Sequence, residues 1–227
     1  MSDRKRMAAE RAVELVEDGM KVGLGTGSTA YYAIEAIGRL VRNGYKIVAV
    51  PTSLASERQA RDLEIPLATL EEVGTLDITI DGADEVDRDL DLIKGMGGAL
   101  LREKIVAHST LQEIIVVDDS KVVQTLGTKF PLPVEVVPFS HGRTRYYMEL
   151  LGCRAELRGG SEPFITDNGN LIYHLHFESG IEDPYDLQRK LKDIPGVVET
   201  GLFLKMAKKV VVAFDSGIRV MERDVTK

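Results

Sequence analysis

Residues 76–80 read Leu-Asp-Ile-Thr-Ile, apolar or β-branched except at Asp77, with Gly74 upstream and Gly82 downstream. That pattern predicts a buried strand ending at Asp81. Upstream, apolar residues recur at helical spacing over residues 8–16, with Ala9, Val13 and Val16 along one side. A short strand from Lys21 then enters the glycine turn Gly25-Thr-Gly-Ser-Thr-Ala30, and a helix follows to about Val41, with Ser28 or Thr29 as its cap. A second strand, residues 46–50, stops at Pro51. Ser53 opens a helix to about Leu63, and residues 66–70 read as a short strand. Beyond Gly97-Gly98 the pattern turns helical from Ala99 to about His108, with Leu101, Ile105 and His108 on one face, and a strand over 113–117 follows. Alternating β and α segments predict a parallel sheet covered on both faces.

At Lys129-Phe-Pro-Leu-Pro133 two prolines mark a boundary. Strands are expected over 134–137, 154–157, 171–177 and 197–204, and helices over 143–151 and 185–192, with a hairpin turn at Asn168-Gly169. The order βαββαβ is the ferredoxin-like arrangement. A buried strand over 209–214 and a short edge strand over 218–221 return to the first sheet. The expected fold class is α/β: a Rossmann-like parallel-sheet domain, residues 1–130 plus 205–227, with a smaller α+β (ferredoxin-like) domain inserted over 131–204.

Charge narrows the partners. The net charge is −7, from 29 basic and 36 acidic side chains with no basic block, which argues against nucleic acid and anionic membranes. A single Cys153 excludes an internal disulfide and fits a reducing compartment. The first twenty residues are charged and helical in pattern, without an apolar signal core, and no apolar run approaches the roughly 20 residues that cross a bilayer. A soluble, cytoplasmic protein is expected.

The chemistry concentrates between Asp81 and Lys104. Asp81-Gly-Ala-Asp84 lies where a strand ends, the edge at which open α/β sheets bind ligands. Lys94 enters the glycine turn Gly95-Met-Gly-Gly98 just before a helix, placing a cation beside backbone N–H donors, an oxyanion site in outline. Glu103 follows one turn into that helix. Two acids, a cation and a helical glutamate converging on one cleft point to proton transfer. The Gly25 loop fits the dinucleotide fingerprint, yet the next strand ends Val50-Pro-Thr-Ser53 without the acid that would hold ribose hydroxyls. Glycines with Thr26, Ser28 and Thr29 at a helix N-terminus suit a monophosphate instead. Lys121, just past the strand ending Val117-Asp-Asp119, stands at the same edge.

Metal readings find less support. An EF-hand opening at Asp87 would need glycine at 92 and glutamate at 98, where Leu92 and Gly98 stand. Glu85, Asp87, Asp89 and Asp91 therefore read as a solvated acidic turn. His174 and His176 share a strand face with no third ligand and read as core or surface histidines. His108, His141 and Cys153 show no partner pattern, and Tyr146-Tyr147 read as core and interface. No metal or cofactor is expected.

These motifs together resemble one family. Gly25-Thr-Gly-Ser-Thr-Ala30, Asp81-Gly-Ala-Asp84-Glu85, Lys94-Gly-x-Gly-Gly-Ala, Arg102-Glu103-Lys104, Gly127-x-Lys-Phe-Pro-Leu-Pro-Val134 and Thr166-Asp-Asn-Gly-Asn170 closely resemble ribose-5-phosphate isomerase, type A. The resemblance runs from the first helix to Gly201-Leu-Phe203. It implies interconversion of ribose 5-phosphate and ribulose 5-phosphate in the pentose phosphate pathway without cofactor, and assembly as homodimers or homotetramers. It implies that Glu103 is the base, passing the C2 proton to C1 through a cis-enediolate. Asp81, Asp84 and Lys94 would hold O1 and O2, with Gly82, Ala83, Gly95, Met96 and Gly97 also against substrate. Thr26, Gly27, Ser28, Thr29 and Lys121 would grip the rest of the sugar phosphate, and Lys5 would reach its phosphate. Met96 departs from the family, where glycine is common, so altered loop stiffness is expected there. The same glycine loop also resembles those of sugar-phosphate deaminases, lactonases and sugar-phosphate sensor domains. A sensor has no use for a base such as Glu103, and no histidine falls near these motifs to serve a deaminase.

Overall fold

The computed structural model describes residues 2–223, and expectations that fall on Met1 or residues 224–227 lie outside them. The chain divides into two compact units. The first comprises the described residues of Met1–Ala83, Arg102–Lys121 and Lys205–Lys227; the second comprises Asp84–Leu101 and Val122–Leu204. Residues 84–101 and 122–130, placed in the α/β domain from sequence, pack in the second unit.

In the first unit the elements run α1 (Ser2–Val13), β1 (Lys21–Leu24), α2 (Ala30–Arg42), β2 (Val48–Pro51), α3 (Leu54–Asp62), α4 (Leu70–Val73) and β3 (Leu76–Asp81). After an excursion into the second unit come the main part of α5 (Leu100–His108), β6 (Thr110–Asp118) and a 3-10 turn (Asp119–Lys121). The last strands are β12 (Ala207–Phe214) and β13 (Gly217–Glu222). The sheet order is β13-β12-β6-β3-β1-β2, with β13 antiparallel to β12 and every other pair parallel. Ile78 and Ile80 of β3 and Ile114 and Val116 of β6 are buried, packed in one cluster with Ala9 and Val13 of α1 and Ile34 and Ile37 of α2. Burial of such aliphatic side chains, roughly 1.5–3 kcal/mol each, drives this layer together.

Three local expectations change. Residues 66–70 form no strand; one bridge joins Ala49 to Leu67. Thr69 and Glu72 then build a reciprocal capping box that starts α4 at Leu70, and this local hydrogen bonding wins over a short extended run. On α5 the buried residues are Leu100, Glu103, Val106 and Ala107, while Ile105 is 49% exposed. Apolar residues occur around most of this helix, so periodicity alone misassigns its inner face. Thr29 occupies the cap position of α2 without a side-chain cap bond; its backbone is already helical there, which takes the hydroxyl away from the free amides.

The second unit holds β7 (Leu132–Val136), α6 (His141–Glu149), β8 (Arg154–Leu157), β9 (Leu171–His176), α7 (Pro184–Lys192) and β10 (Val197–Thr200). Their antiparallel sheet has the order β10-β7-β9-β8, the ferredoxin-like topology. A three-stranded sheet joins β11 (Leu202–Phe203), β5 (Leu92–Ile93) and β4 (Glu85–Val86). The expected strand over 197–204 is thus two strands, broken at Gly201. A side chain there would put its Cβ 2.2 Å from the Lys94 carbonyl oxygen, and the Gly201 carbonyl accepts from the Lys94 N–H at 2.9 Å.

Buried acids hold this unit's loops. Glu85 is fully buried, not solvated; its carboxylate accepts from the N–H groups of Gly127, Lys129 and Phe130 at 2.5, 2.6 and 2.7 Å. Asp91 is likewise buried and accepts from the Tyr185 hydroxyl at 2.6 Å. Glu135, fully buried in β7, accepts from Thr166 Oγ1, Asn168 Nδ2 and Asn170 Nδ2, closing the hairpin turn at Gly169. Isolated carboxylates cannot be buried cheaply, so these donors are what permits them.

Among the described residues no group of three or more His, Cys, Asp or Glu could hold a metal ion. Among them, too, no helix is long and apolar enough to cross a membrane.

Glu85→Gln replaces an acceptor oxygen with an amide facing N–H donors, and we expect it to lower stability by about 2–3 kcal/mol. Urea unfolding measures this, and an unchanged midpoint would contradict the role. Cys153 is buried, and burial, followed by the Glu149 charge, pushes its thiol up to about 11. About one thiol in a thousand is then ionised at pH 8, so reaction with a thiol reagent is expected only after denaturation; stoichiometric labelling of folded protein would refute this.

Candidate active site

In the first unit, β1, β2, β3 and β6 run parallel and end at one edge, at Leu24, Pro51, Asp81 and Asp118. Asp81 is 1% exposed, and its Oδ1 accepts from the N–H of Thr26 at 3.0 Å and of Gly82 at 2.7 Å. Those bonds tie the loop after β1 to the end of β3. Only glycine fits at position 25: a Cβ there would lie 2.3 Å from Asp81 Oδ1 and 2.5 Å from its Cα. Thr26 Oγ1 lies 2.7 Å from Thr52 Oγ1 and 2.8 Å from Ser53 Oγ, so the loop after β2 helps to fix it. Gly27 has a φ of 112°, which leads the chain from this turn toward α2. Ser28 Oγ accepts from Lys5 Nζ at 2.8 Å, which brings α1 to the same loop.

Lys121 ends the 3-10 turn directly after β6. The neighbouring Asp118 is buried, which pushes its carboxyl up, but hydrogen bonds from Ser120 and the charges of Lys121 and Lys5 outweigh this and hold it below its usual range. Lys5, Lys121, Ser28, Thr26 and Asp81 therefore gather at one edge. Arg4 pins the start of α1 there through Asp119 at 2.6 Å and Asp215 at 3.5 Å.

Glu103 belongs to the same unit. The end of α5 lies beside the start of β3, since the Leu76 N–H donates to the Ser109 carbonyl at 2.9 Å. Nine helical residues span about 13 Å, which returns the first turn of α5 toward the carboxyl edge. Glu103 occupies that first turn and is 5% exposed, a position where the helix dipole favours a carboxylate.

The second unit brings together Asp84 and the Lys94–Gly98 turn. Asp84 Oδ2 accepts from the Met96 N–H at 2.9 Å. Gly95 and Gly98 have φ values of 113° and 91°, and the Gly98 N–H closes the turn on the Gly95 carbonyl at 2.9 Å. Met96 is not among the residues with positive φ, and its contact with Asp84 is made by the backbone, so a side chain is tolerated at this position. Lys94 is 2% exposed, with Nζ 5.4 Å from the Phe203 ring centroid, a cation–π contact. Gly97 is exposed, and Gly82, Ala83 and Asp84 are half-buried.

Arg4, Thr52, Ser53, Asp118 and Phe203 also contact these residues, and none of them was expected there from the sequence. Thr52 and Ser53 directly follow the β2 strand, and that position alone was a usable signal. Arg4 and Asp118 carry no local motif. A separate cleft of about 290 Å³, lined by Val50, Pro51, Glu57, Arg61 and Thr69 among others, includes none of the predicted site residues.

The family model of ribose 5-phosphate isomerase A (phosphoriboisomerase A) matches residues 48–217. Ribose-5-phosphate isomerase A of Bacillus mycoides (strain KBAB4) is 52% identical over 220 residues, covering 96% of this chain and 99% of its own. The solved ribose 5-phosphate isomerase from Plasmodium falciparum superposes with a TM-score of 0.95 at 38% identity, covering 99% of this chain and 100% of its own. A D-ribose-5-phosphate isomerase solved in complex with phospho-erythronic acid gives a TM-score of 0.94 at 41% identity, covering 97% of this chain and 98% of its own. With loops, edge acids and near full-length likeness in agreement, the chain belongs to the ribose-5-phosphate isomerase A family.

Proposed function

We propose that this chain interconverts D-ribose 5-phosphate and D-ribulose 5-phosphate, an aldose–ketose isomerisation by proton transfer through a cis-enediolate, in the non-oxidative branch of the pentose phosphate pathway. The observation that carries the reading is Glu103, a carboxylate 5% exposed in the first turn of α5, the helix that leads back from the carboxyl edge. Glu103 takes the C2 proton of the open-chain aldose. The C2–H electrons form the C1=C2 bond, and negative charge moves onto O1. O1 is then protonated, O2 gives up its proton to become the ketone, and Glu103 returns its proton to C1 on the same face.

Asp81, Asp84 and Lys94 act on the oxygens. A carboxyl group carries the proton between O2 and O1 and assists ring opening, while the Lys94 ammonium and the N–H groups around Gly95, Met96 and Gly97 stabilise the developing charge. Gly82 and Ala83, which lie between the two aspartates in the chain, stand against the substrate in this reading. Thr26, Gly27, Ser28 and Thr29 at the start of α2 hold the phosphate with Lys5 and Lys121, and the helix N-terminus supplies favourable dipole. Phospho-erythronic acid, held by a relative, supports this reading: it joins a phosphate to a planar carboxylate that resembles an enediolate. Homodimeric or homotetrameric assembly is part of the proposal.

Ketose formation from ribose 5-phosphate, measured with excess EDTA for wild type and Glu103→Gln, tests it. The variant is expected to fold normally and to lose about a hundred- to ten-thousand-fold in kcat, the span of a general base. Near wild-type turnover by the variant would refute the base. No turnover by folded wild type would favour a sugar-phosphate sensor, deaminase or lactonase.

A further inference from the structure

Arg158 is a cationic side chain that the proposed chemistry leaves unused. It directly follows β8, and its backbone is fixed at both ends: its N–H donates to the Ile172 carbonyl at 2.9 Å, and its carbonyl accepts from the Phe164 N–H at 2.9 Å. That short return loop lays the Phe164 ring against the guanidinium, with Arg158 Cζ 3.8 Å from the ring centroid. Both groups press on Gly98. A Cβ built there would lie 2.5 Å from two Phe164 ring carbons and 2.9 Å from Arg158 Nη1. The stack thus forms the back wall of the turn that Lys94 enters.

The guanidinium sits in a demanding place. Nη1 is buried and makes no hydrogen bond among the described residues. Burial weakens the hold of Arg158 on its proton, and the Asp84 carboxylate opposes that effect. Across the strand, burial and then the Arg158 charge keep His174 below its usual range, so it stays neutral at physiological pH and adds no second cation. Asp84 and Arg158 meet the same turn: Asp84 accepts from the Met96 N–H, and the guanidinium lies against Gly98. Arg158 as a whole is half-buried, yet its buried, unbonded nitrogen carries a desolvation cost that a nearby anion offsets.

We infer that Arg158 is a positioning residue for the isomerisation: held flat on Phe164, its guanidinium braces Gly98 from behind and sets the Asp84 carboxylate against the Lys94–Gly98 turn. It touches no reacting atom and acts through Asp84 and the turn. The inference rests on the proposed role of Asp84. Aromatic stacking of the guanidinium explains why arginine rather than lysine stands there: a planar group both fills the wall and carries the charge.

The test measures kcat and KM with ribose 5-phosphate for Arg158→Met and Arg158→Lys, each alone and combined with Asp84→Asn. Arg158→Met is expected to lower kcat about 10- to 100-fold while KM stays within about threefold, and Arg158→Lys to recover part of the loss. In the Asp84→Asn background, adding Arg158→Met should cost under about threefold more, because the group it acts through is gone. A wild-type kcat for Arg158→Met, or a full multiplicative loss in the Asp84→Asn background, would overturn the inference. If Arg158→Met does not fold, Phe164→Leu loosens the same guanidinium, and a wild-type kcat there overturns it equally. An Asp84→Asn enzyme with wild-type turnover would contradict the role of Asp84 and the inference with it, a pattern distinct from a multiplicative loss.

Discussion

Asp81 is the fixed point. Its carboxylate is 1% exposed at the end of β3 and accepts the N–H groups of Thr26 and Gly82. A carboxyl group buried in such a place demands donors, and the donors include the Thr26 N–H of the glycine turn after β1. The turn approaches so closely that no side chain fits at Gly25. With Thr26 fixed, its hydroxyl meets Thr52 and Ser53, Ser28 meets Lys5, and α2 begins where an anion would be received. One hydrogen-bonded acid thereby sets the geometry of three successive loops.

The second unit uses the same device on other loops. Glu85 holds the backbone around residues 127–130, Glu135 holds the Thr166–Asn170 turn, and Asp84 holds Met96. Part of the chain's net charge of −7 is therefore internal structure rather than solvated surface. Charge-assisted bonds to backbone N–H groups are stronger and more directional than neutral ones, which suits loops that must keep their shape. Buried Lys94 against Phe203 and Arg158 against Phe164 are the cationic counterparts.

What was legible in the sequence was what repeats locally. The β-α alternation, the βαββαβ order and the return of residues 209–214 to the first sheet follow from period and turn residues, and the sheets have those orders. Glycine turns announced themselves as well, because their residue types are dictated by conformation. What was hidden depends on distant partners. Nothing near Glu85 shows that residues 127–130 will cover it, so it reads as solvated. The inner face of α5 is ambiguous because Leu101 and Ile105 look as apolar as Leu100 and Val106. Arg4 and Arg158 look like surface charges until Asp119 and Phe164 come beside them.

In the proposed mechanism hydrogen moves between C2 and C1 as a proton on Glu103. Converting ribose 5-phosphate in deuterated water and locating deuterium in the product by NMR tests that most directly. Because a proton held on a carboxylate exchanges with water while the enediolate persists, part of the ketose is expected to carry solvent deuterium at C1, and label and turnover are expected to vanish together in Glu103→Gln. Complete transfer of hydrogen from C2 to C1, with no solvent label and no dependence on Glu103, would indicate a hydride shift and contradict it.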